Sequence, residues 1–163
     1  MGVALKRKRL LTIRRSETEN STILIYPQLR IRFKPPIYAA KLHAFDQPFL
    51  ELYPYPAADN VLVGDARSSS STSEIRLTMS GKEYTLTTDA NNNSFGLEGY
   101  DEGKLRWVEN SKPKNRVLEL VDHTGRLLAR LKARRSNVER RTLELYVECT
   151  ESLLALVLLS GFV

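Results

Sequence analysis

Apolar and polar side chains alternate with a period of two along most of this chain. In Leu29–Lys34, Leu29, Ile31 and Phe33 face one way and Arg30, Arg32 and Lys34 the other, the pattern of a half-buried β-strand. Segments of the same kind recur at Leu11–Arg14, Thr22–Tyr26, Ile37–Phe45, Pro48–Tyr53, Val61–Arg67, Glu74–Met79, Glu83–Thr87, Ser94–Leu97, Lys104–Val108, Arg116–Val121 and Thr142–Glu148. Turn chemistry separates them: Pro35-Pro36 ends one strand, Ser80-Gly81-Lys82 closes a hairpin, and Asn91–Asn93 and Asp122–Gly125 each reverse the chain. Ser68–Ser73 is a hydroxyl-rich run that reads as a surface loop. Arg126–Arg135 has good helix formers, but Leu127, Leu131 and Ala133 alternate with Arg130, Lys132 and Arg134 right after a turn, which favours a strand. About eleven or twelve short strands at this spacing predict an antiparallel sandwich or barrel.

The tail breaks the period. Leu153–Leu159 is apolar on every face, preceded by Thr150-Glu151-Ser152, which supplies a cap and an acidic first turn. A helix over 152–163 follows, and a helix apolar all round is buried in protein or in lipid. About a dozen residues reach roughly 18 Å, short of the ~20 residues that span a bilayer. A barrel of a dozen strands is too wide for its own side chains to fill, so the tail is expected to plug it. The chain then divides into a basic N-terminal arm over 1–20, which contributes at most the first strand, and one barrel domain over 21–163.

Composition adds little to this picture, being that of an ordinary globular chain of 163 residues. The single Cys149 excludes an internal disulfide and reads as a small buried hydrophobe. Lys6–Arg9 precede only a short apolar stretch, so no secretory leader is expected, and the sequons at Asn20 and Asn92 read as chance matches. A cytoplasmic setting is the default expectation, with peripheral membrane or nuclear placement tied to the charge. That charge is +6, concentrated in two clusters. Lys6, Arg7, Lys8, Arg9, Arg14 and Arg15 form one; Arg126, Arg130, Lys132, Arg134, Arg135, Arg140 and Arg141 form the other, with Glu139 as its only acid. Clusters of this kind attract phosphate-rich partners.

Alternating strands followed by a uniformly apolar terminal helix resemble the tubby C-terminal-like architecture, which includes LURP-one-related proteins and phospholipid scramblases. The stretches that carry the likeness are Ile37–Ala40, Phe49–Tyr53, Glu74–Leu77, Leu105–Trp107, Leu118–Gly125, Thr142–Val147 and Leu153–Val163. It is most similar to tubby-like proteins of fungi. The resemblance implies a twelve-stranded barrel around a central helix and, from tubby domains proper, a basic surface for phosphoinositides. The calcium-loop pattern of scramblases is not evident.

Catalytic signatures are missing. His43 and His123 are too few for a zinc site, no CxxC or HExxH occurs, and no nucleophile elbow, P-loop or dinucleotide fingerprint is present. Asp101, Glu102 and Asp122 form no acid–base dyad. Trp107 is expected in the core, Tyr53-Pro54-Tyr55-Pro56 as a packed turn, and Lys6 stands where a myristoylation signal needs Ser or Thr. The expectation is therefore a non-enzymatic binding or scaffold module with no cofactor. Its anionic-ligand site is assigned to Lys6, Arg7, Lys8, Arg9, Arg130, Lys132, Arg134 and Arg135, facing anionic membrane lipid. The alternatives are a protein-interaction module or a nucleic-acid-associated module using the basic arm.

Overall fold

The computed structural model describes residues 7–19, 21–27, 34–56, 61–68, 74–89, 94–99, 103–134 and 137–162. Twelve strands precede one helix: β1 (Arg9–Arg15), β2 (Thr22–Tyr26), β3 (Tyr38–Leu42), β4 (Leu50–Pro54), β5 (Gly64–Ser68), β6 (Ile75–Met79), β7 (Lys82–Asp89), β8 (Ser94–Glu98), β9 (Leu105–Glu109), β10 (Asn115–Val121), β11 (Leu127–Arg134), β12 (Asn137–Leu145) and α1 (Glu151–Phe162). Each strand pairs antiparallel with its neighbour in the chain. Pairing of β1 with β12, from Arg9 opposite Leu145 to Arg14 opposite Arg140, closes the sheet into a barrel.

Alternation decides which face looks inward. Leu11 and Ile13, Ile23 and Ile25, Leu50 and Leu52, Leu105 and Trp107, and Leu143 and Leu145 turn into one core. Mid-strand positions on the outer wall carry Glu119, Arg130, Lys132 and Glu144, the inverse of the polar-inside, apolar-outside wall of a membrane barrel. No described helix is long and apolar enough to cross a membrane.

The helix fills the interior. Thr150 caps it: its hydroxyl accepts from the Leu153 amide at 3.1 Å, and its carbonyl accepts from the Leu154 amide at 3.0 Å. All of Leu153–Ser160 is buried, whichever way each side chain points. Burying each leucine there contributes roughly 1.5–3 kcal/mol. The helix lies nearest β4, β5 and β6, where small residues let it approach. At Gly64 an added Cβ would fall 2.7 Å from Leu159 Cδ1 and 2.8 Å from the Thr78 carbonyl oxygen, so only glycine fits.

Several boundaries differ from the sequence reading. The expected strand Leu29–Lys34 falls mostly outside the described residues, as do Asn91–Asn93, Asp101-Glu102 and most of the serine run. The expected first strand Leu11–Arg14 extends over Arg9–Arg15 and closes the barrel. The last strand starts at Asn137 rather than Thr142, because its first residues carry charge instead of an apolar alternation. α1 begins one residue earlier than expected, directly after its cap. His43 lies past the end of β3 rather than within it, and Cys149 is only part-buried.

Candidate functional site

Up-and-down topology sorts the loops to two rims. The upper rim, where α1 begins, holds the start of β1, the β4–β5 connection and the β6–β7 turn. The lower rim, where α1 ends, holds the β1–β2, β3–β4, β9–β10 and β11–β12 connections. Because β9 to β12 and β1 to β2 are consecutive around the wall, three neighbouring lower-rim hairpins present their cations side by side. These are Lys112, Lys114 and Arg116 from the β9–β10 hairpin, Arg134, Arg140 and Arg141 from the β11–β12 hairpin, and Arg14 and Arg15 at the end of β1. Acids in this sector include Glu17, which pairs with Arg14, Glu109, whose carboxylate is 3.7 Å from Arg116 Nε, Glu19, and Glu139 on β12. Arg14 stands directly opposite Arg140 in the ladder, an arrangement that costs stability when both are charged. The next lower-rim hairpin beyond β1–β2 is β3–β4, whose Phe45 is 99% exposed. A full phenyl ring in water beside a cationic sector is the pairing used by peripheral membrane proteins.

The sequence-assigned residues are brought together only in part, where Arg7, Arg130 and Lys132 meet around Glu144 and Tyr146 on the wall. Lys6 and Arg135 lie outside the described residues, and Arg7, Lys8 and Arg9 stand at the upper rim. Arg130 and Lys132 are mid-wall and internally neutralised. Arg130 donates to Glu119 through Nη2 at 2.8 Å and Nε at 3.1 Å, and Lys132 Nζ is 2.6 Å from Glu144. Arg7 approaches the same Glu144 at 3.9 Å, and the Tyr146 hydroxyl donates to it at 2.8 Å. Burial raises both carboxyls, but hydrogen bonds from Arg130 and Asn110 to Glu119, and from Lys132 and Tyr146 to Glu144, outweigh it. Both groups are held below the usual carboxylate range. Of the eight assigned residues, only Arg134 belongs to the described lower-rim sector.

Each rim has a recess. At the upper rim a groove of about 570 Å³ is lined by Arg9, Ile37, Val61, Leu62, Glu151 and Leu154 among others. At the lower rim a cavity of about 290 Å³ is lined by Arg116, Leu118, Leu131, Ala133, Arg141, Gly161 and Phe162. Register explains the second. Arg116 and Arg141 both sit opposite Ala133, one on each neighbouring strand, at positions that point inward. Ala133 leaves space between them. The Arg141 guanidinium lies 5.2 Å from the centre of the Phe162 ring, and its Nε is shielded from solvent with no hydrogen-bond partner. Burial, then the like charge of Arg116, pushes the Arg141 guanidinium down.

Another cluster of titratable groups lies along β4 and β5 and the end of β3. His43 Nε2 is 2.7 Å from Glu51, the Tyr53 hydroxyl donates to Glu51 at 2.8 Å, and Glu51 stands opposite Asp65. Burial and then the bond to Glu51 push Tyr53 up to about 12. No group of three or more His, Cys, Asp or Glu side chains among the described residues is placed to hold a metal ion. His43 shares Glu51 with Tyr53, a link the sequence hid because His43 lies past the end of β3 and meets β4 only through the β3–β4 pairing. The inward register positions of Arg116 and Arg141 were also missed, though both break the apolar parity of their strands: Arg116 precedes Leu118 and Leu120, and Arg141 precedes Leu143 and Leu145. No protein-family model, curated protein or solved structure matches the chain.

Proposed function

We propose that this protein is a non-catalytic binding module that docks its lower rim on anionic membrane lipid. The carrying observation is the convergence of Arg14, Arg15, Lys112, Lys114, Arg116, Arg134, Arg140 and Arg141 on three adjacent hairpins, with exposed Phe45 on the next. Cations near an anionic leaflet contribute about 1 kcal/mol each, and an inserted aromatic ring adds apolar burial. The tubby C-terminal-like resemblance supports the same reading, since basic surfaces of tubby domains bind phosphoinositides. The rim cations carry no interleaved aromatics of the kind that stack nucleobases, apart from Phe162 beneath Arg141, which favours lipid over nucleic acid.

The test is co-sedimentation of the full chain with phosphatidylcholine vesicles doped with phosphatidylserine or phosphoinositide. Replacing Arg14, Lys114, Arg134 and Arg140 together by Gln should weaken binding by roughly two to three orders of magnitude, at about 1 kcal/mol per cation. Replacing Arg130 and Lys132 should change it little. Equal losses from both sets, or no vesicle binding by the unaltered protein, would overturn the proposal. Salt-sensitive capture of duplex DNA without vesicle binding would move the function to nucleic acid.

A further inference from the structure

The lower-rim cavity is lined by two arginines, an exposed Arg116 and an Arg141 whose Nε is shielded from solvent. Arg116 and Arg141 flank Ala133 on the inward face, and the space between them is closed on its inner side by Gly161 and Phe162 of α1. The Arg141 Nε is shielded from solvent with no hydrogen-bond partner, and the guanidinium lies over the Phe162 ring. Arg116 is exposed, and its Nε forms an ion pair with Glu109 at 3.7 Å. A helix C-terminus favours one nearby cation through its exposed carbonyls. That does not account for a second, nor for the orphaned Nε, because a shielded guanidinium donor without an acceptor is costly. Two planar forks converging on a small recess are the usual chemistry for a tetrahedral oxyanion.

We propose that this cavity is a phosphate-monoester subsite, with Arg141 and Arg116 as its ligands and Phe162 as its floor. Its phosphate comes from a lipid headgroup or from solution, and only the first source rests on the membrane reading above. The outer cations Arg14, Arg134 and Arg140 supply general attraction, whereas the cavity supplies selectivity for a terminal phosphate over a diester. Burial and the like charge of Arg116 both disfavour the Arg141 guanidinium, a cost that an entering anion would offset.

The chain carries its own reporter. Trp107 is the sole tryptophan, and its ring edge lies 3.4 Å from where a Cβ on Gly161 would stand, at the cavity floor. Titrating the full chain with inorganic phosphate, against chloride at matched ionic strength, should give a saturable Trp107 fluorescence change at about millimolar concentration or below. Arg141→Met keeps the apolar stem and removes the desolvated charge. It should weaken phosphate at least about tenfold without lowering Tm, and Arg141→Lys should retain part of the affinity. With vesicles, the unaltered protein should prefer phosphatidic acid to phosphatidylserine, and Arg141→Met should lose that preference while still binding phosphatidylserine.

Phosphate saturation without vesicle binding would keep the subsite, assign it to free phosphate and overturn the membrane reading. Vesicle binding with no response to phosphate, and no lipid preference sensitive to Arg141, would overturn the subsite alone. A cavity already satisfied from within the chain would give this second result.

Discussion

Ser160 is the one hydroxyl among the buried residues of α1, and it is fully used. Trp107 Nε1 donates to its Oγ at 2.8 Å, and Oγ donates on to the Leu156 carbonyl at 2.7 Å. The bond ties the barrel wall to the plug at a single height, so it sets how far the helix is inserted. Ser160→Ala leaves the indole N–H buried without an acceptor, which should cost about 1–3 kcal/mol in denaturant unfolding. Trp107→Phe in the Ser160→Ala background should recover part of that loss, because both polar partners are then gone. A double-mutant cycle checks this. A Ser160→Ala protein as stable as the parent would show that the bond does not hold the plug. Trp107 in the core was legible from an alternating strand. Its partner was not, because 53 residues separate the two and only the folded register brings them together.

At the scale of elements, the β10–β11–β12 wall shows why a charge run misleads. Read along the chain, Arg126–Arg141 meets a single acid. Across the ladder, Glu119 stands opposite Arg130 from one side and Glu144 from the other. Alternation was enough to place Arg130, Lys132 and Arg134 on one outward face, and the structure agrees. Strand pairing then divides them into two neutralised residues and one at the rim, and no local pattern encodes that pairing. The same wall predicts an acid response. Glu119 and Glu144 titrate lower in the folded chain than when unfolded, so their stabilisation is present above about pH 4.5 and is lost as pH falls through the depressed values. Asp65 acts in the opposite sense: burial raises its carboxyl, so acidification relieves a cost there. The thermal midpoint should therefore drop as the solution is taken below about pH 4.5, and Glu144→Gln should flatten that drop. An unchanged slope in this variant would remove the wall network as its cause.

For the molecule as a whole, the strand count, the antiparallel meander and the buried tail were all legible, because each rests on local periodicity or on a run of apolar residues that must be hidden. Closure was inferred only from the width a plug requires. The strand pairing that achieves it sets Arg9 opposite Leu145, from near the two ends of the chain, and that join carries no sequence signal. Closure also decides the site. It sets β1 beside β12, and so carries Arg14 and Arg15 away from Arg7–Arg9 to the rim that holds Arg134, Arg140 and Arg141. The cationic end and its cavity thus follow from the same step as the dry interior.

Native-state hydrogen exchange on the full chain tests that step most directly. A helix enclosed by a closed wall can release its amides only when the barrel opens. Amides of Leu154–Ser160 should therefore share the slowest class with those of β1 and β12, and all should follow one denaturant slope equal to that of global unfolding. Helix amides exchanging orders of magnitude faster than the strands, or with no denaturant dependence, would contradict the plugged barrel.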